Sequence, residues 1–352
     1  MDNLTVKNDI LQRNNIYDFL RFIGIMCILL AHMNISNTLF QIRNFDVPFL
    51  VILSGMAYAE FSSKHYISYI DYLKKRFFRL VLPTWIFLTF YYFSFYTMNQ
   101  ISLKDILFSY GLLGHEDIGV WIIRIFFSMA LIAPMLFWWN KKLNCNKKFF
   151  LFIIIAFFLY EILYFISHYY LSKIQLTIFN VICMYTFSYG LLYLYGIRLT
   201  QFSKSLLEKQ FAIIFFILLS YLLYYWEFNA TIYPTQTFKY PPEGYYLSYA
   251  LTISLILLYL SRYTKIFTVF MNNKLVAFIG SSTFWIYLWH WYYLKLYYLY
   301  HINTNYLIQF LLILLLTLAT VYIQKNMLFL LLNKLPNDLK TMKQMLTTIF
   351  TG

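Results

Sequence analysis

Apolar runs long enough to cross a bilayer recur along the chain, with short polar breaks between them. They fall at about 16–34, 45–62, 77–97, 119–139, 149–171, 176–197, 210–226, 246–261, 275–299 and 306–332. A helix needs ~20 apolar residues to span hydrocarbon. The pattern therefore predicts an all-α polytopic membrane protein of about ten transmembrane helices. The stretch 101–113 is too short and too polar at its flanks to add another. No soluble appendage, internal repeat or low-complexity tract interrupts the pattern, so residues 1–352 read as a single membrane-embedded domain with a tail at about 333–352.

Composition agrees with this picture. The chain is 61% hydrophobic and 12% charged, whereas a soluble domain carries roughly 25% charged residues. In a soluble chain a net charge of +14 would suggest a nucleic-acid partner. Here its placement suggests something else. With the N-terminus inside and ten spans, 21 of the 28 Lys and Arg residues fall on inner loops and tails. The outer loops hold Arg43, Lys104, Lys173 and Lys239, and the spans hold Arg21, Arg124 and Lys295. That is the positive-inside bias, and it predicts that both termini are cytoplasmic. The basic excess reports topology; the expected partner is membrane lipid, not nucleic acid. Cys27, Cys145 and Cys183 are scattered, with neither disulfide nor zinc spacing.

The polar residues that break the apolar pattern are the candidates for chemistry. Arg21 and His32 lie eleven residues apart on the first span. At ~100° and ~1.5 Å per residue they share one face and sit roughly 16 Å apart along the axis. Ionisable groups at that depth face a protein interior or a wet cavity. They line a site, or they form a satisfied structural pair. Asp46, at the outer start of the second span, lies at a depth similar to His32. It can orient or charge-balance the imidazole, or stand as a solvated helix-start residue. Ser54 and Gly55 permit close helix approach. Before the third span, Arg76 and Arg79 are i,i+3 neighbours, with Lys75 beside Arg79 at i,i+4. They read as interfacial snorkelling or as an anion site, since guanidinium forks match phosphate. Pro83 is expected to kink the helix that follows.

Arg124 pairs with Glu116 and Asp117 or holds an anionic substrate group. Glu161 is close to mid-membrane in the fifth span. Tyr240-Pro241-Pro242 stiffens the longest outer loop, whose aromatic faces suit a sugar ring or the membrane interface. His290 lies between Trp289 and Trp291, five residues before Lys295. No Walker loop, dinucleotide glycine motif or zinc spacing appears. The candidate chemistry is a general base, His32, with positioning arginines and no metal.

These residues together resemble acyltransferase family 3, the integral membrane O-acyltransferases, and within it the bacterial surface-polysaccharide O-acetyltransferases. Asp18, Arg21 and His32 match the D-x-x-R motif followed by a histidine. Phe45 to Pro48 with Ser54 and Gly55 match the second-span motif. Arg76 and Arg79 match the R-x-x-R pair, and Tyr287, Leu288 and His290 match the late Y-L-x-H segment. The resemblance implies transfer of an acyl group, usually acetyl, from cytoplasmic acetyl-CoA to a sugar hydroxyl, without a metal. It implies a multi-pass protein of the bacterial cytoplasmic membrane and a polysaccharide or lipid-linked repeat unit as acceptor. His32 would then be the base. Arg21 would hold the donor or stabilise the oxyanion, oriented by Asp18, and Arg76, Arg79 and Lys75 would hold the coenzyme phosphates. Asp46, Ser54, Arg124, Glu161, Tyr240 and His290 are supporting or substrate-facing candidates. The competing reading is a carrier or flippase for an anionic glycolipid, although the internal symmetry common in transporters is not evident. The acceptor sugar and the oligomeric state, a homodimer among the options, stay open.

Overall fold

The computed structural model describes residues 15–95, 102–113, 118–336 and 338–351. It is helical, with no β-strand among the described residues. This is expected of backbone that must satisfy its own hydrogen bonds without water. In chain order come α1 (Asn15–Leu30), α2 (Asn37–Ile42), α3 (Asp46–Lys64), α4 (Tyr69–Arg76) and α5 (Leu82–Phe95). Next are α6 (Leu103–Tyr110), α7 (Trp121–Lys142), α8 (Asn146–Tyr170), α9 (Lys173–Phe179), α10 (Tyr185–Leu199) and α11 (Lys204–Asn229). The last are α12 (Gly244–Tyr263), α13 (Thr268–Met271), α14 (Lys274–Ser281), α15 (Thr283–Leu299), α16 (Tyr306–Lys334) and α17 (Lys340–Thr351). Inner and outer sides follow the positive-inside rule.

Among the described residues, eight helices are long and apolar enough to cross a membrane. The first and ninth of the ten expected spans are not among them. α1 has 16 residues, about 24 Å of helix against roughly 30 Å of hydrocarbon. Its last turn tightens, with Ala31 N–H reaching Ile28 C=O and His32 N–H reaching Leu29 C=O, both at 3.1 Å. His32 therefore stands in the turn that ends α1. The ninth span breaks at Ser282. The Ser281 and Ser282 hydroxyls both donate to the Phe278 carbonyl, and Lys325 Nζ donates to Ser282 Oγ at 2.7 Å. Such hydroxyl back-bonding competes with the helical ladder.

Residues Phe77–Val81 form a π-helical turn between α4 and α5, with Leu82 N–H bonded to Phe77 C=O. Pro83 lacks the N–H that would continue the ordinary ladder, and the wider turn accommodates it. The expected kink is thus realised as a change of helical pitch. Within the expected stretch 101–113, the described residues 102–113 fold back on α5 as α6. Trp85 Nε1 donates to Tyr110 C=O at 2.9 Å, and Tyr92 Oη to Ser109 Oγ at 2.7 Å. The expected tail also docks. Trp285 Nε1 donates to Ile349 C=O at 2.9 Å and Gln324 Nε2 to Phe350 C=O at 3.0 Å. These side chains satisfy carbonyls that a helix C-terminus leaves open.

The bundle centre is a crossing of α3 and α10. A Cβ on Gly55 would lie 2.2 Å from the Tyr193 carbonyl oxygen, and one on Gly196 would lie 2.3 Å from that of Ile52. The two backbones touch because each helix offers a glycine to the other, the small-residue packing typical of membrane helices. α1 is held between α3 and α14. Its Asp18 carbonyl lies so close to Gly280 that a Cβ there would fall at 1.9 Å. Buried Arg198 staples the inner α7–α8 turn, donating to Asn146 Oδ1 at 2.9 Å and Leu143 C=O at 3.0 Å.

Gly55→Ala and Gly196→Ala should each destabilise the protein by at least about 1–3 kcal/mol, the usual cost of overpacking. Gly111→Ala, whose Cβ would meet its nearest neighbour at an ordinary 3.4 Å, should be nearly neutral. Chemical unfolding of detergent-solubilised variants checks this; equal stability of all three would contradict the crossing.

Candidate active site

The outer end of α1 meets α15 through two histidines. His290 Nε2 lies 3.3 Å from His32 Nδ1. His290 is fully buried, and its Nδ1 bonds the Tyr287 carbonyl one turn back. A carbonyl can only accept, so Nδ1 of His290 carries a proton. In a neutral imidazole the other nitrogen is then an acceptor. His290 Nε2 thus accepts from His32 Nδ1–H, and the basic lone pair of His32 falls on Nε2. This tautomer follows from the hydrogen-bond pattern. The Trp291 indole packs on His32 with ring centroids 4.4 Å apart. The Tyr287 hydroxyl donates to the Gly119 carbonyl and fixes the turn that carries His290. Gly119 is required there, since a Cβ would sit 2.7 Å from Trp291 and 3.0 Å from the Tyr287 hydroxyl.

Asp46 does not bond the imidazole, and it is not solvated. It is 2% exposed and accepts from Arg43 Nη1 at 2.7 Å, with Lys239 Nζ at 3.6 Å. Its other partner is the Val47 N–H, at 2.8 Å. The expected pairing with His32 gives way because two outer-loop cations outcompete a weakly basic ring for the carboxylate. Lys239 also donates to Asn44 Oδ1 at 3.0 Å. Burial pushes its ammonium below the usual range, Asp46 opposes that shift and Arg43 adds to it. Tyr240 sits edge-on to Trp121 with centroids 5.5 Å apart and is half exposed. Burial pushes its phenol up to about 12. The Tyr240-Pro241 peptide is cis.

At the inner end of α1, Arg21 Nη1 pairs with Asp18 Oδ1 at 3.3 Å, and the guanidinium lies over the Tyr17 ring. Tyr17 in turn donates to Glu60 on α3. Arg21 and His32 therefore occupy opposite ends of one helix, too far apart for Arg21 to stabilise charge beside the imidazole. The two arginines of the R-x-x-R pair differ in exposure. Arg76 turns inward over Tyr72, to whose hydroxyl its Nε donates at 3.2 Å. Arg79 and Lys75 are exposed. Arg79 lies within the π-turn that follows Arg76, so its spacing from Arg76 departs from that of a regular helix.

The remaining candidates lie outside the histidine pair. Ser54 bonds its own helix at Leu50 C=O, 2.9 Å away. Arg124 donates to the Leu113 carbonyl at 3.2 Å and lies over Tyr185. Its other expected partners, Glu116 and Asp117, fall outside the described residues. Glu161 faces Glu243 and the Gly244 backbone, and Tyr164 donates to Glu243 at 2.9 Å. Arg43, Lys239, Tyr287 and Trp291 were not singled out as site residues. The first two were counted as loop charges, Tyr287 entered only as part of the late Y-L-x-H segment, and Trp291 looks like an ordinary span aromatic. Among the described residues no three His, Cys, Asp or Glu side chains converge as metal ligands.

A family model described as an acyltransferase domain matches residues 14–323. The chain belongs to that acyltransferase family. No curated protein and no solved structure matches it significantly. The protein is therefore a multi-pass membrane acyltransferase, and the match covers both histidines, the Asp18–Arg21 pair and the outer cluster. Within an acyltransferase a hydrogen-bonded His–His pair can deprotonate a hydroxyl. In that arrangement His32 Nε2 would be the basic nitrogen and His290 Nε2 the acceptor that orients the ring, the place a carboxylate takes in a catalytic triad.

Loss of a general base typically lowers a rate by about 10²–10⁴-fold. His32→Ala should show that loss, and His290→Asn a smaller one. The double variant should fall no further than His32→Ala, because paired groups act as a unit. Thiol release from an acyl thioester measures each rate; independent, multiplicative losses would show that the two rings do not cooperate.

Proposed function

We propose that this acyltransferase moves an acetyl group from cytoplasmic acetyl-CoA to a hydroxyl of a cell-surface or lipid-linked saccharide at the bacterial plasma membrane. The observation that carries the reading is the placement of His32 and Arg21 at opposite ends of α1, with His32 held by His290. Their separation of roughly 16 Å along the helix is comparable to the pantetheine arm that joins the thioester of coenzyme A to its phosphates. Arg21, together with Arg79 and Lys75 exposed on the inner side, supplies cations for those phosphates. His32 is the base.

In the reaction the acceptor oxygen attacks the thioester carbonyl while its proton passes to His32 Nε2. The carbon–sulfur bond breaks, the acetyl group stays on the sugar oxygen, and the thiolate of coenzyme A recovers the proton. The half-exposed Tyr240 and the adjoining Trp121 offer ring faces to a sugar at the outer mouth.

The direct test is transfer of radiolabel from acetyl-CoA into the surface glycan fraction of membranes, for wild type and His32→Ala at matched expression. Label incorporated by wild type and lost in the variant supports the reading. Equal transfer by both makes His32 structural. Glycan export that depends on the protein while acetyl-CoA stays intact identifies a carrier instead.

A further inference from the structure

The outer cluster holds more positive charge than its own carboxylate can balance. Arg43, Lys239 and Asp46 are 5%, 3% and 2% exposed. The charged groups facing Lys239 are Asp46 and Arg43, so two cations share one carboxylate. One salt bridge would suffice to pin the outer loop, and Asn44 Nδ2 already ties that loop by donating to Thr235 Oγ1 at 3.1 Å. The second cation is surplus to that task, and a buried unmatched charge is costly.

Three donors in the same place are also poorly answered. Arg43 Nε is buried without a hydrogen-bond partner, and the buried Tyr189 and Tyr246 hydroxyls have only each other. Both tyrosines are fully buried. Lys239 Nζ lies over the rings of Tyr240 and Tyr246, at 5.7 and 5.9 Å from their centroids. Tyr246 faces Tyr189, Asp46, Tyr240 and Arg43. Poorly answered buried donors around a surplus cation mark a place where an acceptor-rich anion belongs. The cluster adjoins the histidine pair, since His32 feels the charges of both Arg43 and Lys239. Tyr240, half exposed, forms its open rim.

We infer that Arg43 and Lys239, with the Tyr189 and Tyr246 hydroxyls, recognise a negative charge on the acceptor, a carboxylate or phosphate carried by the saccharide whose hydroxyl is acylated beside His32. The inference rests on the acyl-transfer reading and adds the acceptor's charge to it. The surplus of one positive charge matches one anionic group. Asp46 keeps Arg43 and Lys239 in place, and the phenols donate to the anion's remaining oxygens. A neutral acceptor would leave both the charge and the donors unanswered.

The test is inhibition of acetyl transfer by three sugars of one configuration: methyl glucoside, methyl glucuronide and the phosphate ester of methyl glucoside. At least one anionic sugar should inhibit about ten- to a hundredfold more tightly than the neutral one, the range a charge-assisted hydrogen bond supplies. Which one does so separates carboxylate from phosphate. In Lys239→Met the preference should collapse, and in Lys239→Arg it should persist, with thermal stability confirming both folds. Equal inhibition by all three sugars with wild type overturns the inference and leaves acyl transfer standing. So does a preference retained in Lys239→Met. Failure of wild type to consume acetyl-CoA sinks the acyl-transfer reading itself and the inference with it.

Discussion

In hydrocarbon there is no water to complete a hydrogen bond, so a polar side chain is costly unless another part of the chain answers it. Many hydroxyls of this bundle turn back onto a carbonyl of their own helix, and a second set of polar contacts joins helices far apart in sequence. Tyr17 on α1 meets Glu60 on α3, Arg198 on α10 meets the α7–α8 turn, and Trp289 on α15 meets Gln324 on α16. The His32–His290 bond belongs to the same set. α1 is tied to α3 near its inner end and to α15 at its outer end. The Asn34 amide beyond α1 reaches Gln309 at 3.2 Å. Apolar packing brings the helices together, but these polar contacts decide how each is rotated and how deep it lies.

The apolar pattern made the helical membrane fold legible, because hydropathy alone reports a span. It could not show where a span stops being one helix. Ser281-Ser282 looks unremarkable in an apolar run, and only the hydroxyl bonds to Phe278 and the pull of Lys325 from α16 reveal the break. The spacing rule for Arg76 and Arg79 is blunted for a similar reason. It assumes a uniform pitch, and Arg79 lies in the π-turn Phe77–Val81 just ahead of Pro83. The docking of α17 depends on Trp285 and Gln324, which lie tens of residues upstream.

Site residues divided along the same line. Asp18, Arg21 and His32 were visible because charge inside an apolar run is conspicuous. Arg43 and Lys239 were invisible because charge in a loop is normally explained by topology. Their burial comes from a tertiary event, the folding of the 231–243 loop onto the α2–α3 corner through Gln41, Asn44 and Thr235. Asp46 was noticed, but its partners are neither the imidazole nor solvent, since Arg43 and Lys239 lie in segments that no periodicity links to it. Glu161 drew attention by its depth alone, and the structure sets it against Glu243 instead of the imidazoles.

The tilted contact of Trp291 with His32, ring centroids 4.4 Å apart, has an optical consequence. A protonated imidazole in contact with an indole accepts an electron from its excited state and quenches its emission, whereas the neutral ring does so weakly. The ring proposed to receive the proton therefore lies against a chromophore that senses its charge. Emission from that indole would dim when the imidazole gains a proton and recover when the proton leaves, giving the protein a built-in reporter of proton movement at the outer end of α1.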